Sequence, residues 1–207
     1  MVNFRKLALI FVALYATAIP WAAFAQGESV AVFVQAAAPV PGADLEYLFS
    51  YAMQRCSIVT GAAVATRGQI QLAQRQTNTY VGTSLTLSGL RSLAQTLNVD
   101  YIVIHRFVDW SDEISFRAER ALLWTGFGTL LGGLFQAALT PLGLVFGLER
   151  TATVSLFTTV FTDTGDITFT TSVVEEDCPI LSLVTADPLE AAKKAIEVST
   201  LQMAVAL

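Results

Sequence analysis

Residues 121–148 (ALLWTGFGTLLGGLFQAALTPLGLVFGL) run for 28 positions without a charge, with Arg117, Glu119 and Arg120 before them and Glu149 and Arg150 after. A helix needs roughly 20 apolar residues to cross a bilayer, so on hydropathy alone this stretch reads as transmembrane. Its neighbours oppose that reading. Residues 100–110 (DYIVIHRFVDW) and 151–161 (TATVSLFTTVF) are rich in aromatic and β-branched residues and read as strands. If they share one sheet they lie on the same side of any membrane, and a single crossing would separate them.

A hairpin reconciles the two. Residues 121–138 form one helical arm, Thr140 and Pro141 break it, and 142–148 return as a shorter arm. Gly128 and Gly132, and again Gly143 and Gly147, have the spacing that lets helices approach closely. The residues expected to carry membrane contact or self-association are Trp124, Phe127, Gly128, Leu130, Leu131, Gly132, Leu134, Phe135 and Pro141. The competing reading packs the segment onto its own sheet, because so apolar a stretch must be covered by something.

The rest of the chain alternates strand and helix. Residues 30–35 (VAVFVQ) form a continuous apolar run of the buried-strand kind. Asp44 caps a helix whose Leu45, Leu48, Phe49, Ala52 and Met53 share a face and which ends near Cys56. Residues 58–66 read as a short second strand bent at Gly61, 67–76 as a polar helix, and 77–83 as a loop. Ser88 is the expected cap of a third helix that stops at Asn98. Residues 162–165 (TDTG) make a hairpin turn between 151–161 and a last strand over 166–174. Asp187, Pro188 and Glu190 open a final helix, with Glu190 expected to reach back to the cap.

At the amino terminus Arg5 and Lys6 precede an apolar core over 7–19 and the small-x-small triplet Ala23, Phe24 and Ala25, the pattern of a cleavable signal peptide over 1–25. Residues 26–207 are then a single exported α/β domain with 121–148 inserted. Without Arg5 and Lys6 the chain keeps ten basic residues against seventeen acidic ones, a formal charge of −7, and has no basic run. That balance disfavours nucleic acid as a partner. Cys56 and Cys178 are the only cysteines. In an oxidising compartment they either form one disulfide or stand as separate buried thiols.

Three places hold residues of a kind that could carry chemistry. His105 is the only histidine and has no second ligand pattern beside it, so it reads as structural. Glu175, Glu176 and Asp177 read as a solvated strand end. Asp109, Asp112 and Glu113 lie near the end of the long strand without a paired acid or base, and read as surface charges. There is no G-x-S-x-G, phosphate-binding glycine loop or H-E-x-x-H. No enzyme activity, cofactor or metal is expected.

The order of elements, with VAVFVQ, LRSLAQTLNVDYIVIHRFVDW and VSLFTTVFTDTGDITFTTSV, resembles the periplasmic α/β domain shared by the TolB amino-terminal domain, the curli secretion protein CsgG and the penicillin-binding-protein activator LpoB. The resemblance covers most of the chain outside 121–148. It implies a mixed sheet of about five strands with helices packed on it and the apolar hairpin between the third and fourth. It also implies action by contact with other envelope proteins, in the periplasm or at the outer membrane. Two alternatives stay open: a component of a CsgG-like secretion channel, and a periplasmic protein that binds a small ligand.

Overall fold

The computed structural model describes residues 27–37, 44–81, 85–116, 148–177 and 187–207, with the backbone alone at 115–116 and 148–149. The expected signal peptide over 1–25 and the apolar segment 121–148 lie outside these residues, apart from Leu148 at the start of a strand.

In chain order the elements are β1 (Ser29–Ala36), α1 (Leu45–Thr60), β2 (Ala63–Val64), α2 (Arg67–Thr77), α3 (Leu87–Leu97), β3 (Tyr101–Phe116), β4 (Leu148–Thr162), β5 (Ile167–Asp177) and α4 (Pro188–Ala206). One five-stranded mixed sheet has the order β2-β1-β3-β4-β5. β1 runs parallel to β2 and β3, while β4 is antiparallel to both β3 and β5. The fold is therefore the α/β class that the strand and helix patterns imply.

β1 is apolar at every central position because it is covered on both faces. Val30 and Val32 point into a core built with Leu48, Ala52 and Cys56 of α1 and Ala192, Ala195 and Ile196 of α4. Ala31 and Phe33 point the other way, onto Ile70 and Ala73 of α2 and Leu90, Leu93 and Ala94 of α3. Each fully buried Leu, Ile or Phe contributes about 1.5–3 kcal/mol against leaving it in water, so these two layers hold the sheet. Beyond the cover of α2 and α3, no described residue covers the second face of β4 and β5, where Phe157 and Val174 are exposed.

Several local expectations need correction. α1 runs on through Ile58, Val59 and Thr60, so the strand read over 58–66 shrinks to the two residues of β2. Gly61 ends the helix at φ 69°, the left-handed conformation that only glycine adopts without strain, and its N–H bonds to the Ser57 carbonyl. Thr86, not Ser88, caps α3: its Oγ1 accepts the Gly89 N–H at 3.1 Å. At α4 the Asp187 side chain accepts the Leu189 N–H at 2.8 Å as expected, but the Glu190 carboxylate turns to Lys193 at 2.6 Å instead of reaching back. The largest difference is in β3, which does not stop at Trp110 but continues to Phe116.

Candidate interaction arm

β3 and β4 pair from Tyr101 opposite Thr162 out to Phe116 opposite Leu148. The inner half is bedded in the body, since β3 pairs with β1 only as far as Phe107 opposite Ala36. A bulge follows between Phe107 and Asp109, leaving Val108 as the extra residue and about half exposed. A bulge bends its strand and resets the alternation of faces. Before it Val103 and Phe107 face the α1–α4 core; after it Trp110 takes that side, with its ring 5.6 Å from Phe107.

Past the bulge the two strands form an arm. At about 3.3 Å per residue, residues 109–116 run roughly 26 Å past the bulge; Trp110, Val154 and Ala152 still pack in the body, and only 113–116, roughly 13 Å, extend beyond it. β5 supports the arm as far as Asp177 opposite Ala152. The last four rungs, from Glu113 opposite Thr151 to Phe116 opposite Leu148, are two-stranded.

Asp112 and Arg150 fasten that outer part. Arg150 donates its Nε–H to Asp112 Oδ1 at 2.7 Å and a second N–H to Oδ2, a two-pronged pair between strands. The hydrogen bonds from Arg150 lower the Asp112 carboxyl below its ordinary range. Asp112 is therefore a strut of the arm and not a loose surface charge. Ile114, two residues farther out, is exposed.

The acidic cluster is also structural at one of its members. Asp177 is buried, accepts Lys194 Nζ at 2.7 Å and accepts the Asp187 N–H at 3.1 Å. Burial pushes its carboxyl upward, but Lys194 and the Asp187 N–H outweigh that and hold it low. It ties the end of β5 to the start of α4, whereas Glu176 is exposed.

His105 is fully buried in the middle of β3. Its Nδ1 lies 2.8 Å from Thr158 Oγ1, and Ser199 Oγ donates to the same Thr158 oxygen at 2.6 Å. This chain joins β3, β4 and α4 through the core. His105 Nε2 has no hydrogen-bond partner among the described residues, and burial pulls the imidazole down to about 4. No group of three or more His, Cys, Asp or Glu that could hold a metal is found among the described residues.

Cys56 is fully buried and has no disulfide partner among the described residues, and desolvation pushes its thiol up to about 11. It lies in the last third of α1, while β5 ends at the opposite end of the sheet. Cys178 lies outside the described residues, as do Trp124, Phe127, Gly128, Leu130, Leu131, Gly132, Leu134, Phe135 and Pro141. The two strands that flank those apolar residues, β3 and β4, are hydrogen-bonded neighbours. Among the described residues no helix is long and apolar enough to cross a membrane.

Sequence reasoning missed one concave feature. A groove of about 230 Å³ opens beside β1, with Phe33, Phe49, Ile70 and Val81 on its apolar side. Gln71 and Gln74 add amides, and the ion pair of Arg67 with Glu46 crosses from α2 to α1. A small ligand would fit in this groove. No short motif marks it, because its lining comes from three separate elements.

No family model and no curated protein matches the sequence. Solved structures that resemble the chain include lipoprotein GNA1162 from Neisseria meningitidis, at TM-score 0.47 and 11% identity, covering 86% of this chain and 98% of that one. The PelC dodecamer from Paraburkholderia phytofirmans gives TM-score 0.43 and 13% identity over 86% and 90%. The LpoB C-terminal domain from Salmonella enterica gives TM-score 0.42 and 10% identity over 72% and 82%. LpoB is named both in the sequence resemblance and among these structures. The architecture of this chain stands on its own strand order and registers.

Proposed function

We propose that this is an exported, non-catalytic envelope protein whose α/β body docks other envelope proteins. In this reading the charge-free segment 121–148, carried at the tip of the β3–β4 arm, associates with a membrane or with further copies of the chain. One observation carries it: the strands on either side of the segment pair as far as Phe116 and Leu148. A stretch apolar enough for lipid therefore departs from one point and comes back to the same point. That suits a re-entrant element, whose ends share one side of the bilayer, and does not suit a single span.

The arm supplies the rest of the device. It holds the segment roughly 13 Å beyond the packed body, and the Asp112–Arg150 pair stiffens the stretch where only two strands remain. The signal-peptide pattern at 1–25 and the acidic balance of the remainder suit work outside the cytoplasm on protein or lipid partners, not on nucleic acid.

Replacing residues 117–147 by a two-residue Asn-Gly turn tests the proposal. The pairing of Phe116 with Leu148 makes the join a plain β-hairpin. The expected variant folds, with the circular dichroism of the parent body, and stays at the bottom of a density gradient from which the full chain floats with liposomes. A variant that floats as well as the parent contradicts the proposal, and so does one that aggregates because the segment was part of its core.

A further inference from the structure

Among the described residues β5 forms an unpaired edge of the sheet, and it shares a midpoint with the helix beside it. β5 is the outermost strand of the order β2-β1-β3-β4-β5 and carries neither proline nor lysine, the residues that commonly blunt an edge against pairing. Its eleven residues centre on Ser172, which is exposed. α4 packs across β4 and β5 and turns an apolar stripe outward: Leu201 is 48% exposed, Val205 is 63% exposed, and Val198 is half-buried. Thr171 Oγ1 donates to Gln202 Oε1, which ties the middle of the strand to the middle of that stripe.

We propose that this edge pairs with β5 of a second copy of the chain, antiparallel, about a two-fold axis at Ser172. A contact between identical copies requires a patch that is complementary to itself about one axis, and strand and stripe meet that condition at the same point. Charge selects the direction. Antiparallel pairing sets Glu175, Glu176 and Asp177 of each copy opposite 169, 168 and 167, all uncharged, whereas parallel pairing stacks carboxylate on carboxylate.

The spacing also fits. Paired strands lie about 4.8 Å apart and α4 sits above the β4–β5 pair, so the two α4 helices would run about 10 Å apart, at the upper end of ordinary helix packing. An edge about 36 Å long, with the helix stripe beside it, covers on the order of 700 Å² per copy, close to the roughly 800 Å² of a standard stable interface. The result is a continuous ten-stranded sheet, with both arms free of the contact.

This pairing is separate from the role of 121–148, and the test reads it separately. The full chain in detergent is compared with Ser172→Glu and Ser172→Lys by sedimentation equilibrium, with circular dichroism to verify that each variant folds. Each substitution sets a like charge against its own copy at the axis, and an equimolar mixture sets opposite charges against each other. The proposal expects either variant alone to lose half the parent mass and the mixture to recover it. A parent that sediments as one chain, or a mass that neither variant changes, overturns the proposal.

Discussion

His105 ties acidity to stability through one side chain. It is enclosed by β3, β4 and α4, bonded through Nδ1 to Thr158, and held neutral by desolvation with its imidazole at about 4 against an ordinary 6.5. The unfolded chain therefore takes up the proton first. Stability from this site is complete above about pH 6.5 and falls as the pH drops toward 4, at about 1.4 kcal/mol per pH unit, with no further loss below that. Between pH 6.5 and 5 the carboxylates held low, Asp112 and Asp177 among them, remain ionised and contribute little slope. Urea unfolding at pH 6.5 and pH 5 is expected to show the decline in the parent and its disappearance in His105→Leu. An equal slope in both would place the proton elsewhere. The sequence marked His105 as structural because it stood alone, and its place in the buried Ser199–Thr158–His105 chain supports that role. The partners themselves, 53 and 41 positions apart in the pairs, carry no local signal.

Among the elements, the glycine at the end of α1 is the place where local sequence and tertiary context part. Ile58, Val59 and Thr60 are β-branched and read as strand, yet they complete a helix whose Thr60 hydroxyl bonds back to the Cys56 carbonyl at 2.7 Å. The buried face of the helix, Leu48, Ala52, Cys56 and Thr60, overrides their intrinsic preference even though Ile58 itself is exposed. Gly61→Ala, forced to keep φ 69°, is expected to lower unfolding stability by about 1 kcal/mol in a urea titration. No change would mean that the turn relaxes. Caps with a single candidate, Asp44, Asn98 and Asp187, were legible in the sequence. Where two hydroxyls competed, Thr86 won over Ser88 because the free N–H of Gly89 lies three residues after the cap and meets its oxygen. The outer part of β3, SDEISF, was not legible at all. Asp112, Glu113 and Ile114 are exposed, and only pairing with residues 148–153 across a gap of more than thirty positions makes the stretch a strand.

At the scale of the whole molecule the chain divides its work by depth. A sheet covered on both faces near β1 gives a rigid body, a bulge at Val108 releases β3 from β1, and a two-stranded arm leads outward to the charge-free segment. The free β5 edge lies to one side of this axis, which lets the body pair with a second copy while the arm stays available. The sequence showed the charge-free run and required its flanks to share a sheet; the registers supply the arm that joins them.

The central claim is that both flanks of 121–148 lie on one side of the membrane. Glu113 and Thr151 stand opposite each other on the arm. Glu113→Cys and Thr151→Cys, each in a Cys178→Ser background where Cys56 is buried, can be probed in sealed proteoliposomes with a membrane-impermeant maleimide. The account predicts that both positions label to the same extent from the outside. Labelling of one and protection of the other would place the flanks on opposite faces and contradict it.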